Sequence, residues 1–538
     1  MEMEATTLLP LLGLLLLLHL FHLLKLASAP ASSSSRPRLP PGPWQLPLIG
    51  SLHHLLLSRH GNLAHRTLRD LSRRHGPLML LRLGSVPTLV VSSAEAAREV
   101  LKTHDAAFAS RHLTPTLAVF SVGGRDVLFS PYGELWRHLR RLCALELLSA
   151  RRVRSFRRVR EDEAARLLRS VAGDAAAGGG DVDVGERMCR AVNDAVTRAA
   201  VGGRCARRDE FLRELQNAVA LTGGFNLADL YPASRVARWL SQALRDAERC
   251  NRAVREIMAE IIREQEKLSA GDGGRDDGED EDDNLLAVLL RLQRDGGDAQ
   301  CPLTTEIIST VVLEIFAAGS ETSSTTLEWA LSELTRNPRV MQKAQSEVRE
   351  AFNGKHKLTE ADTEKLRYLP LVIKETLRLH VPVPFLLPRE CREPCRVMGY
   401  DIPIGTKVLV NAWAIARDER YWGEDAEEFV PERFEEGSEV DFRGADFEFI
   451  PFGAGRRMCP GMALGLVNME LALAGLLYHF DWEEVPEGKK KKKQQQQQQQ
   501  QQLDGGDSGA GVGEAFGITV RRKDRLVLRA TQRIPCGY

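Results

Sequence analysis

The chain has 538 residues, with 73 Lys and Arg against 73 Asp and Glu, so its formal charge at pH 7 is zero. A nucleic-acid or polyanion binder would carry a basic excess, and this balance argues against that class. With 43% hydrophobic and 27% charged residues, the composition is that of a folded chain and not of a disordered one. Nine cysteines without regular spacing, and no Asn-x-Ser/Thr sequon, fit a reducing compartment better than a secreted disulfide framework.

Residues Ala5 to Leu24 hold no charge and are dominated by leucine, enough helix for about 30 Å of bilayer core. Acidic Glu2 and Glu4 precede the run, while Lys25, Arg36 and Arg38 follow it. Under the positive-inside rule this predicts an uncleaved anchor over 1–27 with the body in the cytosol, in preference to a signal peptide cut near Ala27-Ser28-Ala29. Residues 28–43 are a Pro-rich linker. After it, Trp44, Leu46, Leu48 and Ile49 either meet the bilayer interface or begin the body. His53-His54 reads as a solvated pair.

Apolar spacing near 3.6 predicts helices over 62–75, 93–103, 133–170, 187–201, 205–221, 235–269, 304–336, 339–353 and 365–379. Strand-like runs are few and short: Leu78 to Leu83, Thr88 to Val91, Lys407 to Asn411 and Arg525 to Arg529. The expected fold class is mainly α, one domain over 44–538 with small peripheral β-sheets. Disordered insertions are expected at about 271–283 and 489–513, the second holding five Lys followed by nine Gln.

Several residue groups carry chemistry. Trp136 and Arg140 lie four apart, on one face of a helix. Ala318-Gly319-Ser320-Glu321-Thr322-Ser323 sits midway along a long helical pattern; a Gly there costs roughly 1 kcal/mol relative to Ala, and locally inconsistent residues mark function. Charge and hydroxyl at Glu321-Thr322 reach one another only if the helix opens. Glu375 and Arg378 form an i, i+3 pair, and Arg433 follows in Pro431-Glu432-Arg433-Phe434. Cys391-x-x-x-Cys395 is too sparse for a zinc site. The sharpest feature is Pro451-Phe452-Gly453-Ala454-Gly455-Arg456-Arg457-Met458-Cys459-Pro460-Gly461, running into the apolar stretch Met462 to Tyr478. Beside arginines and ahead of a helix, the Cys459 thiolate is stabilised, as either a nucleophile or a metal ligand.

These motifs, in this order, resemble the cytochrome P450 family of haem-thiolate monooxygenases, over about residues 40–485 and again over Phe516 to Ala530. Phe452, Gly455, Arg457, Cys459 and Gly461 match the family's cysteine signature. The resemblance implies heme b with Cys459 as axial iron ligand, and Arg457, Trp136, Arg140 and Arg389 near the haem propionates. It implies a structural triad of Glu375, Arg378 and Arg433. At the oxygen-activation site Gly319 would leave a groove for O2, while Glu321 and Thr322 order water and relay protons.

The implied reaction inserts one oxygen atom of O2 into a hydrophobic substrate, with electrons from NADPH delivered by a separate cytochrome P450 reductase. No dinucleotide-binding glycine pattern is visible in this chain. Arg137, Arg140, Arg141 and Arg456 are the expected docking cations for that reductase. Together with the anchor, the resemblance implies a single-pass protein of the endoplasmic reticulum membrane that faces the cytosol. The motif wording resembles plant microsomal enzymes of specialised metabolism, with a terpenoid, perhaps diterpenoid, substrate expected and an indole, phenylpropanoid or amino-acid derivative as the alternative. Segments Leu117 to Phe120, Leu221 to Phe225, Phe316-Ala317, Val383 to Leu387 and Phe516 to Ile518 are either substrate contacts or plain core. A haem-thiolate isomerase or dehydratase, and a non-enzymatic haem protein, stay open beside the monooxygenase reading.

Overall fold

Helices begin where a short polar side chain can accept their first free N–H groups. Thr304 caps the longest helix through the N–H of Ile307 at 3.3 Å, and Asn284 and Ser234 cap two others in the same way. The structure, a computed structural model, describes residues 37–537 apart from 178–179, 204–206, 272–283, 297–300, 356, 436, 438–439 and 486–512. The expected anchor, the first part of the linker and nearly all of both insertions lie outside the described residues.

The principal helices are α1 (Ala64–His75), α2 (Glu134–Leu142), α3 (Arg157–Ala177), α4 (Val184–Val201), α5 (Arg208–Leu221), α6 (Gln242–Gly271), α7 (Leu285–Arg294), α8 (Thr305–Arg336), α9 (Pro338–Ala351), α10 (Tyr368–Leu379) and α11 (Met462–His479). Two of the long periodic stretches are broken by local capping. The run over 133–170 divides into α2, a π-helical turn Cys143–Leu147, a short helix Ala150–Ser155 and α3, because the Ser149 side chain takes the N–H of Arg152 and starts a new helix. In the same way Ser241 accepts the N–H of Leu244 and separates Arg235–Leu240 from α6. Residues 93–103 end in a second π-helical turn, Glu99–Thr103.

The strands are β1 (Leu78–Leu83), β2 (Val86–Val91), β3 (Ser110–Arg111), β4 (Asp181–Asp183), β5 (Arg389–Glu390), β6 (Cys395–Val397), β7 (Tyr400–Ile402), β8 (Lys407–Val410), β9 (Phe480–Glu484), β10 (Glu514–Phe516), β11 (Val520–Arg522) and β12 (Val527–Gln532). They form a five-stranded sheet in the order β1-β2-β8-β5-β3, a three-stranded sheet β4-β12-β9, and the hairpins β6-β7 and β10-β11. Among the described residues only β2 and β8 pair in parallel, Thr88 opposite Lys407. Alternate residues of β8 face opposite ways: Val408 and Val410 enter one apolar cluster, Leu409 another.

The main core gathers buried faces of α3, α4, α8, α10 and α11. Among the described residues α11 is the one helix long and apolar enough to cross a bilayer, but it is mostly buried inside the protein and serves as a core helix. His53 corrects the sequence reading. It is buried, with Nδ1 3.1 Å from the Gly50 carbonyl and its ring centroid 4.0 Å from that of Trp44.

Candidate active site

The cysteine loop folds back on itself through glycine. Gly453 and Gly455 have φ of +70° and +69°, and a Cβ on Gly455 would fall 2.1 Å from the Leu101 carbonyl oxygen and 2.9 Å from the Asp105 carboxylate. The N–H of Cys459 donates to the Phe452 carbonyl at 3.0 Å and closes the loop. Cys459 is exposed at its own surface, yet protein crowds round it at slightly longer range. Burial pushes its thiol up, opposed by the Gly461 and Met462 N–H groups and by the Arg140 cation.

Arginines surround this loop. Arg389 donates to Asp105 at 2.9 Å and to the Ala454 carbonyl at 2.8 Å. Arg457 is buried; it donates to the carbonyls of Ala109 at 2.7 Å, Val127 at 3.4 Å and Ser130, and lies 4.2 Å over the Trp136 ring. The indole N–H of Trp136 shares the Val127 carbonyl at 3.2 Å. Burial and the nearby Arg389 pull Arg457 down to about 9. Arg140 makes no hydrogen bond or ion pair among the described residues, and burial lowers its pKa.

Two residues that sequence reasoning passed over complete the cluster. Asp105 is buried and accepts from Arg389, the Arg456 N–H at 2.9 Å and the Arg456 guanidinium at 3.1 Å. Arg111, equally buried, donates to the Leu128 and Leu387 carbonyls at 3.0 and 2.6 Å. Turn 126–130, whose carbonyls take these arginines, is held from behind by α8. The N–H groups of Val127 and Leu128 donate to Glu314 at 3.0 and 3.3 Å, while Asp126 accepts from Phe129 and Ser130 at 2.6 and 2.8 Å. Burial raises Asp126 to about 6, and burial beside Asp126 pushes Glu314 well above the usual carboxyl range.

Glu375, Arg378 and Arg433 do meet. Arg378 is fully buried and uses its donors on Glu375 at 2.7 and 2.8 Å and on the carbonyls of Ala416, Ala426 and Glu428 at 2.7 to 2.9 Å. Arg433 adds a 2.9 Å bond to Glu375, and the Val430 N–H a fourth at 2.8 Å. The network ties α10 to the irregular chain that leads into the cysteine loop.

α8 passes α11 six residues beyond Cys459, where a Cβ on Gly465 would lie 3.5 Å from Ser323 Oγ. Its middle stays α-helical through Gly319 to Thr322, with no opening of the kind the sequence led us to expect. The physical reason is back-bonding: Thr322 Oγ1 donates to the Ala318 carbonyl at 2.7 Å, so the hydroxyl is satisfied without unwinding. Glu321 turns away from Thr322, accepting from Thr519 Oγ1 at 3.1 Å and lying 3.4 Å from Arg521 Nε in the terminal hairpin. The missing side chain of Gly319 faces Val196 of α4 at 3.5 Å, a helix-packing position, while Ala318 is exposed.

A family model described as cytochrome P450 matches residues 40–503. The chain belongs to the cytochrome P450 family. It is 54% identical over 462 residues to ent-cassadiene hydroxylase of Oryza sativa subsp. japonica, covering 85% of this chain and 88% of that protein. Zealexin A1 synthase of Zea mays is 51% identical over 464 residues, 85% of this chain and 89% of its own. Dolabradiene monooxygenase of Zea mays is 48% identical over 498 residues, 92% of each. A solved zebrafish cytochrome P450 bound to abiraterone has the same fold, with a TM-score of 0.70 over 87% of this chain and 99% of that one at 24% identity. This P450 is accordingly a monooxygenase with a haem-thiolate cofactor, dependent on O2, a redox partner and a hydrophobic substrate. The surroundings of Cys459 fit that group: a cradle that admits only glycine at 455, a thiol facing open space, and more buried cations than anions where propionates would need them.

Proposed function

We propose that the protein oxygenates a terpenoid, a diterpenoid first, on the cytosolic face of the endoplasmic reticulum, with electrons from NADPH through a separate reductase. The observation that carries the substrate class is identity near one half, over most of the chain, to enzymes named for the hydroxylation or monooxygenation of ent-cassadiene and dolabradiene. When bound, haem supplies the chemistry that divides O2 between product and water. Cys459 would hold its iron through the thiolate, with Phe452, Gly455 and Gly461 shaping the loop. Arg457, Arg389, Trp136 and Arg140 would face the propionates, Arg140 being the donor with no other partner among the described residues. Thr322 carries its own hydroxyl proton on Oγ1, donated here to the Ala318 carbonyl, and would redirect that hydrogen bond toward O2. Glu321 brings protons from solvent by leaving Thr519 and Arg521, and Gly319 lets α4 pack close behind.

An apolar surface supports the membrane reading. Trp239 is 75% and Trp44 63% exposed, with Val236, Leu240, Leu48, Leu56 and Leu57 exposed beside them in sequence. The two segments touch where Tyr231 Oη donates to the Leu48 carbonyl at 3.4 Å. A patch of this kind, next to the residues that emerge from the apolar N-terminal stretch, suits a lipid surface. Arg137, Arg141 and Arg456 remain the proposed reductase contacts. The test is turnover of a panel of diterpenes and sesquiterpenes, hydrocarbons and their oxygenated derivatives, in microsomes supplied with NADPH, reductase and isotopically labelled O2. The expected result is a product carrying one labelled oxygen atom. Oxygenation of phenylpropanoids or indoles alone would overturn the terpenoid assignment.

A further inference from the structure

Lys407 stands apart from the machinery described so far. It lies on β8, in the middle of the five-stranded sheet, and is 7% exposed. By alternation it shares a sheet face with Leu409, the face covered by Phe385, Phe225, Leu230 and Phe516. Those three phenylalanines come from three of the apolar segments that sequence alone offered as substrate contacts or core, and they meet here: Phe225 and Phe385 approach Phe516 at 5.9 and 6.0 Å between centroids.

The ammonium has no hydrogen bond or ion pair among the described residues. Its Nζ lies 6.0 Å from the Phe225 centroid, the outer limit of a cation–π contact, and 3.6 Å from where a Cβ on Gly224 would sit. Asp229 exerts a favourable field, but its two oxygens are already engaged, one by the Thr116 N–H at 3.0 Å and the other by Asn226 Nδ2 at 2.7 Å. Burial lowers the lysine to about 8, which leaves it protonated at neutral pH. Burying an ammonium is costly unless hydrogen-bond acceptors replace water, and a cation–π contact at its outer limit offsets little of that cost. One polar donor among apolar side chains is also the arrangement that orients a mostly apolar ligand.

We infer that Lys407 is a specificity-determining residue that donates to a hydroxyl or carbonyl oxygen on an otherwise apolar substrate. Because Asp229 already balances the charge, the acceptor that fits is neutral and not a second carboxylate. The substrate is therefore an already oxygenated molecule, the product of an earlier oxidation of the same skeleton, and this P450 oxidises it again at a second carbon. The inference rests on the apolar-substrate reading and narrows it.

The experiment uses the full-length holoenzyme in microsomes and follows the haem spectral shift on ligand binding. The ligands are a diterpene hydrocarbon with the alcohol and ketone of the same skeleton, and in parallel a phenylpropene with its alcohol. The wild type is expected to bind the oxygenated member at least tenfold more tightly than its hydrocarbon. Lys407→Met brings that ratio to near one by weakening the oxygenated ligand, Lys407→Gln gives an intermediate ratio, and both keep their haem spectrum and thermal midpoint. A wild-type ratio near one, a ratio that survives Lys407→Met, or a Lys407→Met protein that loses haem and melts early would each overturn the assignment. A preference seen with the phenylpropene pair and not with the diterpenes would refute the terpenoid reading while leaving Lys407 in its role.

Discussion

Around the cysteine loop nearly every buried charge has a fixed partner, whereas the middle of α8 and the sheet face beside it leave polar groups unspent. Arg378, Arg389, Arg433 and Arg457 direct their donors at carboxylates or at backbone carbonyls of chain segments far away in sequence. On the other side Thr322 Oγ1 bonds to its own helix, and among the described residues Ser320 Oγ and the Lys407 ammonium have no hydrogen-bond partner. Orphaned polar groups are costly and therefore rare, so a buried donor of this kind marks a place where something else can complete it. One region is built to hold its shape; the other is built to receive.

Breaking the rigid side gives the largest effect. Glu375→Ala leaves Arg378 buried without its counter-charge and Arg433 and the Val430 N–H without an acceptor, so we expect a loss of about 3–5 kcal/mol. Thermal denaturation with haem content as a second readout checks this; a midpoint within a degree or two of wild type would refute the structural role of the triad. On the open side, Thr322→Ala leaves the framework untouched. The haem spectrum is expected to persist while product formation falls roughly 10- to 100-fold, with NADPH still consumed. Product formed in full proportion to NADPH would remove Thr322 from the proton path.

The carboxyl pair behind the arginine cluster sharpens the contrast through pH. Both Asp126 and Glu314 are raised in the folded protein, so their contribution to stability is complete at low pH and is lost as pH rises through about 6 and above. Thermal midpoints from pH 5 to 8 should therefore fall less steeply in Glu314→Gln than in wild type; an unchanged slope would contradict the pairing. The smallest effect belongs to Arg521→Gln. Its 3.4 Å contact with Glu321 is partly exposed and worth at most about 1 kcal/mol, so turnover should change by less than about fivefold, measured with saturating reductase.

The cysteine loop and the acid-Thr segment were legible because each depends on residues close together in sequence, and β1 was found to the residue for the same reason, whereas the triad, with Arg433 58 residues from Glu375, was reached only through the family resemblance. Helix boundaries were less so. Period 3.6 runs through Ser149 and Ser241 without interruption, and only the capping bonds reveal the breaks. Helix α7 went unread because its ten residues are a short apolar run directly after an acidic tract. Asp105 and Arg111 could not be found at all: their partners lie at Arg389, Arg456 and Leu387, hundreds of residues on. Lys407 read as part of a strand, and only the folded sheet puts its ammonium among three phenylalanines.

The reduced carbon-monoxide difference spectrum of the full-length protein in microsomes, beside Cys459→Ala, tests the central assignment most directly. The account predicts the Soret band that gives the family its name in the wild type and its loss in the variant. The same band in Cys459→Ala, or none in a folded wild type, would contradict it.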